Sequence, residues 1–386
     1  MQKPDMVQTI MTDFSERSCI SGIGCIPVRY LWTDAFAVCN FLELFRRTGE
    51  QRYIKEALLL VDQVHHVLGQ HRSDDPRSGW ISCLDNREGE LHPTIGGLRI
   101  GKKNNERKSD APYNDRLEWE QDGQYFHYLT KWMHALNRVS EVSGKRIYNQ
   151  WAIELAKVAY AGFSYAVPGT GVKRLYWKMS NDLSRPLVKS MGQHDPLDGY
   201  ITCLQLEATA KTFAETPAEL SLSTEIEELA VMCAGANWAT EDPLGIGGLL
   251  GDAYRLVQLI NSFHLQQTAT LQSLLHDAEL SLQAFASNNP LDFTADYRLA
   301  FRELGLAIGL HAISRMQKTI EQYPENFSNT HKLHSMLSSL AGFQHISEII
   351  ESFWLKSEHR SAGSWQDHAD INNVMLATSL APEAYL

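Results

Sequence analysis

Apolar residues recur along this chain at helical spacing, and the segments that carry them alternate between two kinds. One kind is apolar almost all round, as in LEATAKTFA and LGLAIGLHAI, and the other is one-sided, as in YIKEALLLVDQVHHVL. A helix buried on every side reads as the first, and a helix with one face in solvent reads as the second. The spacing predicts helix pairs at 31–48 and 52–68, at 119–142 and 147–165, and at 196–213 and 224–237. It predicts further pairs at 243–263 and 268–286 and at 295–321 and 331–355, then a last helix at 367–380, with the segment 7–14 as its outer partner. Gly49 and Ser143-Gly144 follow two of these segments as stop signals, and Pro196 and Pro243 suit first turns.

Repeated helix pairs of two kinds predict an all-α fold, an (α/α)6 toroid with fully buried inner helices and one-sided outer ones. A chain of 386 residues exceeds the usual size of one core. A closed ring of hairpins escapes that limit, because each unit buries its face on its neighbours. One domain, residues 1–386, is therefore expected. The longest connection runs from 70 to 117 and includes SGWISCLD (78–85), whose alternation suggests a short strand, so minor β structure is expected in the long loops.

Each inner helix opens on charged and aromatic residues. In order these are Trp32-Thr33-Asp34, Glu118-Trp119-Glu120-Gln121-Asp122, His194-Asp195-Pro196-Leu197-Asp198, Glu241-Asp242, Asp296-Tyr297-Arg298, and Trp365-Gln366-Asp367-His368-Ala369-Asp370. Parallel inner helices would bring these starts to one mouth. A lone acidic residue at a helix start reads as a cap, and Asp34, Asp242 and Asp296 fit that reading. The clusters at 118–122, 194–198 and 365–370 exceed what one helix start requires. Trp32, Trp80, Trp119, Trp177 and Trp365 lie at or near these starts, where their faces can pack in a core or stack on a sugar. Gly123 and Gly199 follow Asp122 and Asp198, and glycine in an early helical turn costs about 1 kcal/mol against alanine. Close approach of a ligand or of another helix would justify it. His194 and Asp198 share a helix face, and His368 neighbours Asp367, as in a proton-transfer pair. No His-rich spacing supports a metal site, and His65, His66 and His134 read as packing or surface residues.

Composition narrows the picture. A net charge of −11, from 35 basic and 46 acidic residues, argues against a nucleic-acid partner. The densest basic stretch, Lys102, Lys103, Arg107 and Lys108, sits among Asn, Ser and Asp and reads as a solvated loop. Six scattered cysteines without CxxC read as free thiols in a reducing compartment. Without an opening apolar run or an 18-residue apolar stretch, a cytoplasmic protein with no membrane partner is expected. GIGGLLG (245–251) does not match a dinucleotide fingerprint, and Walker A, HExxH and GxSxG are absent, so no cofactor is expected.

The strings GLRIGK (97–102), DGQYFHYLTKWMHAL (122–136) and LSRPLVKSMGQHDPLDG (183–199) carry a resemblance. Over nearly its full length the chain resembles the six-hairpin glycosidase-like superfamily, and these strings look like those of a bacterial family within it. The resemblance implies the toroid and a sugar-related pocket, and it transfers no catalytic residue. Superfamily members include glycosidases, phosphorylases, lyases and sugar 2-epimerases, so the fold alone does not choose a reaction.

Three functions follow as expectations. The first is a glycoside hydrolase-like enzyme acting on a small saccharide or glycoside, with Asp122 or Glu120 as acid facing Asp195 or Asp367 as base. Carboxyl groups about 6.5–9.5 Å apart would indicate inversion. Arg116, Tyr125, Tyr200, His194 and Trp365 would position the substrate, with Trp32, Asp34, Glu118, Asp198 and His368 also in the binding set. The second is a sugar epimerase or isomerase using His194 and His368 as opposed bases. The third is a non-enzymatic toroid that binds a partner. A homodimer is compatible with all three.

Overall fold

Gly49 closes the helix Leu31–Thr48 in the left-handed region, with φ 71° and its N–H donated to Phe45 O. Gly144 closes Phe126–Ser143 in the same way, with φ 69° and its N–H donated to Ser140 O. Glycine alone adopts this conformation without strain, so both stops are written in the sequence. The computed structural model describes residues 3–20, 22, 24–213 and 218–386. They form two compact units, residues 15–234 and residues 1–14 with 235–386. Helix α1 (Lys3–Arg17) belongs to the latter through Phe14.

The unit 15–234 holds three helix pairs, α2 (Leu31–Thr48) with α3 (Gln51–Leu68), α6 (Phe126–Ser143) with α7 (Arg146–Phe163), and α8 (Asp195–Ala210) with α9 (Ser223–Cys233). Short helices α4 (Asn86–Leu91) and α5 (Asp115–Glu120) lie in the long connection. The first member of each pair is the buried one. Residues of α2 are buried without interruption from Leu31 to Leu44, and α2 packs on α6, which packs on α8. Helix α3 buries a single stripe, Tyr53, Ala57, Leu60, Val61, Val64, His65 and Leu68, as its one-sided sequence requires. His65 is a core residue. It accepts a hydrogen bond from Trp132 Nε1 at 3.2 Å, and burial pushes its imidazole down to about 3.

Among the described residues, five short strands lie in the loops: β1 (Gln124–Tyr125), β2 (Ser164–Ala166), β3 (Lys173–Leu175), β4 (Lys178–Met179) and β5 (Pro186–Val188). Strands β1, β4 and β5 form an antiparallel sheet that pairs Gln124 with Met179 and Tyr125 with Lys178. Strands β2 and β3 form a hairpin.

Several expectations need correction. The helix expected from Trp119 begins at Phe126, because residues 121–125 run extended through Gly123 at φ 149°. SGWISCLD makes one isolated bridge, Trp80 to Gln70, followed by a turn, and no strand. Cys19 and Cys25 form a disulfide, their Cα atoms 6.0 Å apart and within bonding range, which overturns the free-thiol reading for this pair. The other four cysteines remain thiols.

The second unit contains α10 (Pro243–Phe263) with α11 (Thr268–Ser287), α12 (Ala300–Gln322) with α13 (Thr330–Ala341) and α14 (His345–Trp354), the short α15 (Ser357–Arg360) and α16 (Gly363–Gln366), and α17 (Ala369–Leu380). Asp242 caps α10 by accepting the Gly245 N–H at 3.0 Å, and Pro243 follows in the first turn. The helix expected at 331–355 is broken at Gly342, where three successive i to i+3 hydrogen bonds tighten the chain before α14. No described helix is long and apolar enough to cross a membrane.

Helices α10 and α12 touch through glycine. A Cβ at Gly247 would lie 2.1 Å from Gly305 O, and one at Gly309 would lie 2.5 Å from Gly247 O. Backbone cannot step aside as a side chain can. Gly247→Ala is therefore expected to destabilise the fold by about 1–3 kcal/mol or more in denaturant unfolding. Gly248→Ala, where a Cβ meets nothing within 4 Å, should be neutral or stabilising by up to about 1 kcal/mol. Equal midpoints for the two variants would refute the packing account.

Candidate functional site

Within the unit 15–234, the starts of α2, α6 and α8 meet. Asp195 is the first residue of α8 and is followed by Pro196, which needs no N–H partner there. Its carboxyl lies over Gly192, where a Cβ would come within 2.6 Å of the carboxyl atoms. Asp195 is 5% exposed. Burial pushes its carboxyl up to about 7, and the nearby Asp198 charge adds to this, while Lys131 opposes it. Oδ1 is 3.6 Å from His127 Nδ1 on α6, and Oδ2 has no protein partner. Burial, with a contribution from Lys131, pushes His127 down to about 3. Near pH 7 the pair is thus a carboxyl about half protonated beside an uncharged imidazole.

Two more polar atoms here lack protein partners, His127 Nδ1 and Trp32 Nε1, with the rings 6.2 Å apart. A buried polar atom left without a partner costs about 1–3 kcal/mol, so these three are satisfied by bound water or are free to meet a ligand.

Aromatic rings wall this cluster. His127 stacks on Tyr125 at 5.3 Å, meets Tyr128 edge-on at 5.0 Å and lies 6.4 Å from Trp177. Trp32 is 5.3 Å from Tyr128, whose hydroxyl shares a 2.7 Å hydrogen bond with that of Tyr30. Burial raises the Tyr125 hydroxyl far above its ordinary range. Asp198 accepts from Thr130 Oγ1 at 2.5 Å and pairs with Lys131 Nζ at 2.7 Å, so one turn of α6 fixes it beside Asp195.

A shallow, open groove adjoins this wall, lined by Tyr113, Asp115, Glu118, Trp119, Tyr125, Trp177 and Val188. Among the described residues no group of three or more His, Cys, Asp or Glu side chains is placed to hold a metal ion.

The other expected residues divide sharply. Asp122 is wholly buried and serves the loop. It binds Arg99 Nη1 at 2.5 Å and accepts N–H groups of Gly101 at 3.0 Å, Gly123 at 3.1 Å and Lys102 at 3.3 Å. Glu118 is also spoken for, pairing with Lys178 at 2.9 Å and Arg107 at 2.8 Å. Asp34 is not the N-cap of α2, which is Tyr30; from inside the first turn it accepts the Tyr30 N–H at 2.9 Å and lies 3.5 Å from the buried Arg29. Glu120 and Arg116 are exposed on α5, His194 is the N-cap of α8, and Tyr200 is buried in α8. In the second unit, Trp365 is 2% exposed and packs on Trp354 at 5.4 Å, so its face belongs to a core. Asp367 and His368 are exposed before α17, with His368 edge-on to Phe301.

The two glycines also separate. Gly123 is not in a helical turn at all, and a Cβ there would lie 2.7 Å from Met179 O. Gly199 is helical and admits the Phe126 ring, 2.9 Å from a built Cβ, so helix packing explains it.

His127, Thr130 and Lys131 were missed. A helix begun at Trp119 places them in its interior, away from the helix starts. The available signal was Gly123, which ends one element and lets another start at Phe126.

No protein-family model matches the chain, and no curated protein does. Among solved structures, the α-1,6-mannanase GH76A of Salegentibacter sp. HEL1_6 aligns over 100% of this chain and 99% of its own, with a TM-score of 0.53 and 11% identity. An inactive double-aspartate variant of that enzyme, in complex with α-1,6-mannotetrose, aligns over the same shares with a TM-score of 0.54 and 11% identity. The chain has the six-hairpin glycosidase-like fold. Its class is therefore the all-α (α/α)6 toroid that the helix pairs predicted. At this identity the likeness concerns the six-hairpin fold alone.

Proposed function

We propose that this six-hairpin protein is a saccharide-processing enzyme of the glycoside hydrolase kind, with Asp195 as the proton donor. One observation carries the reading: a buried carboxyl with an unpartnered oxygen, poised near pH 7, at the foot of an aromatic wall. Cleaving a glycosidic bond needs a proton on the leaving oxygen as the C–O bond breaks, and burial is the usual means of keeping a carboxyl protonated for that task. Water completes the cleavage: its oxygen bonds the anomeric carbon, and the proton it loses replaces the one that Asp195 gave to the leaving oxygen. Aromatic faces and hydrogen-bonding edges suit a sugar, which presents C–H faces and hydroxyl rims. The acid role first considered for Asp122 passes to Asp195, because the oxygens of Asp122 are taken by Arg99 and three backbone N–H groups.

The structural neighbour's ligand makes α-1,6-linked mannosides the first substrates to assay. Hydrolysis of one by the wild type, lost in Asp195→Asn, supports the reading. Unchanged turnover in that variant ends it.

Asp198 tunes the donor in this account. Removing its charge by Asp198→Asn lowers the Asp195 pKa, and the Lys131 charge left behind lowers it further. The descending limb of the rate profile should move from near pH 7 to lower pH by about one unit or more. An unmoved limb would show that Asp198 is only a structural partner of Lys131.

A second reading has its own observation. His127 lies 3.6 Å from the Asp195 carboxyl, and an ionised Asp195, the stronger base of the two, could take a proton from a sugar carbon beside this imidazole, as a sugar epimerase or isomerase requires. The pair differs from His194 and His368, the pair first expected. Incubating free mannose or glucose in D2O separates the readings, since deuterium at C2 belongs to this one and glycoside hydrolysis to the first.

A further inference from the structure

We infer that the groove bounded by Tyr113, Trp119 and Trp177 is a second ring-binding subsite, so that the substrate is an oligosaccharide of at least two sugar rings. This rests on the saccharide reading above and specifies its substrate class.

Trp119 is 48% exposed and Tyr113 is 54% exposed, although burying an aromatic side chain stabilises a fold by about 1.5–3 kcal/mol. The Trp119 ring is nonetheless anchored. Trp119 sits on the six-residue helix α5, too short to be stable alone. A wholly buried lysine, Lys178, anchors that helix by donating to Glu118 O at 2.6 Å, Glu118 Oε1 at 2.9 Å and Gln121 O at 2.9 Å. Arg107 adds a bond to the other Glu118 oxygen. The anchor fixes Trp119 edge-on to Trp177, with centroids 5.2 Å apart at 82°, so that the two rings make an aromatic corner.

The corner carries a polar rim. Asp115 accepts from the Tyr113 hydroxyl at 2.9 Å and borders the same groove. Flat aromatic faces beside a carboxylate fit a pyranose better than an acyl chain or a peptide strand. The groove shares a wall with the reacting end. Tyr125 lines the groove and stacks on His127, and His127 faces Asp195. A ligand with one ring at the groove and another toward Asp195 would lie along this shared wall.

The test is binding by tryptophan fluorescence and calorimetry with α-1,6-mannotetrose, maltotetraose and cellotetraose, and with mannose and glucose. The expected result is that a tetrasaccharide binds the wild type and that Trp119→Ala weakens it about tenfold. Monosaccharide affinity and melting temperature should not change, and Trp119→Phe should restore part of the loss. Unchanged tetrasaccharide affinity in Trp119→Ala, or no binding of any tetrasaccharide to the wild type, overturns the subsite. Asp195→Asn keeps the two claims apart. If it binds tetrasaccharide and turns it over as the wild type does, the proton-donor reading fails while the subsite stands.

Discussion

Asp195→Asn is expected to lower turnover of an accepted glycoside by about 10²–10⁴-fold, the usual worth of a positioned general acid. In the wild type, activity should fall as pH rises through about 7, because the donor must carry its proton. Stability should respond in the opposite sense. The native pKa near 7 lies above the ordinary carboxyl value of about 3.9, so between these limits the native state holds a proton that the unfolded state has released. Wild-type stability is therefore drained as pH rises from about 4 to about 7, by an amount on the order of a few kcal/mol. Asparagine has the same shape and does not titrate. The Asn variant should gain melting temperature relative to the wild type between pH 4.5 and pH 8, while losing its chemistry. Parallel melting curves for the two proteins across that range would mean that the native carboxyl titrates normally, and the donor assignment would go with it.

Asp122→Ala should act on the fold instead. Its carboxylate is the partner of Arg99, which is itself 4% exposed. Deleting one member of a buried pair leaves the other charge uncompensated, at about 3–5 kcal/mol. Three loop N–H groups lose their acceptor at the same time. Denaturant unfolding should show this loss in full, and Arg99→Met added to Asp122→Ala should recover part of it. Turnover measured well below the melting temperature should stay within about tenfold of wild type, since only geometry relayed through Gly101 and Lys102 is disturbed. A stable Asp122→Ala protein with turnover down by more than about 10²-fold would return Asp122 to the chemistry.

These opposite expectations for two aspartates, both buried and both near aromatic residues, show where reading the sequence stops. Asp122 and Asp195 have similar neighbours along the chain: each is near a glycine, an aromatic residue and other acidic residues. Their fates are set by residues at a distance. Arg99, 23 positions before Asp122, occupies one of them. His127, 68 positions before Asp195 in the numbering, stops 3.6 Å short of the other and leaves an oxygen open. Trp119 and Trp365 diverge for the same reason. Each sits within an expected cluster, yet one borders a groove and the other is packed on Trp354.

The sequence by itself determined the helix pairs, their buried and one-sided members, and the caps at Gly49, Gly144, Asp242 and Pro196, because apolar period and capping chemistry act over a few neighbouring residues. It also singled out Trp32, Tyr125, Asp195 and Asp198. Only the tertiary structure decided which carboxylate is left unpaired, which imidazole meets it, and which tryptophan stays open. Pairing and desolvation depend on groups far away in the chain, and no local pattern encodes their distances.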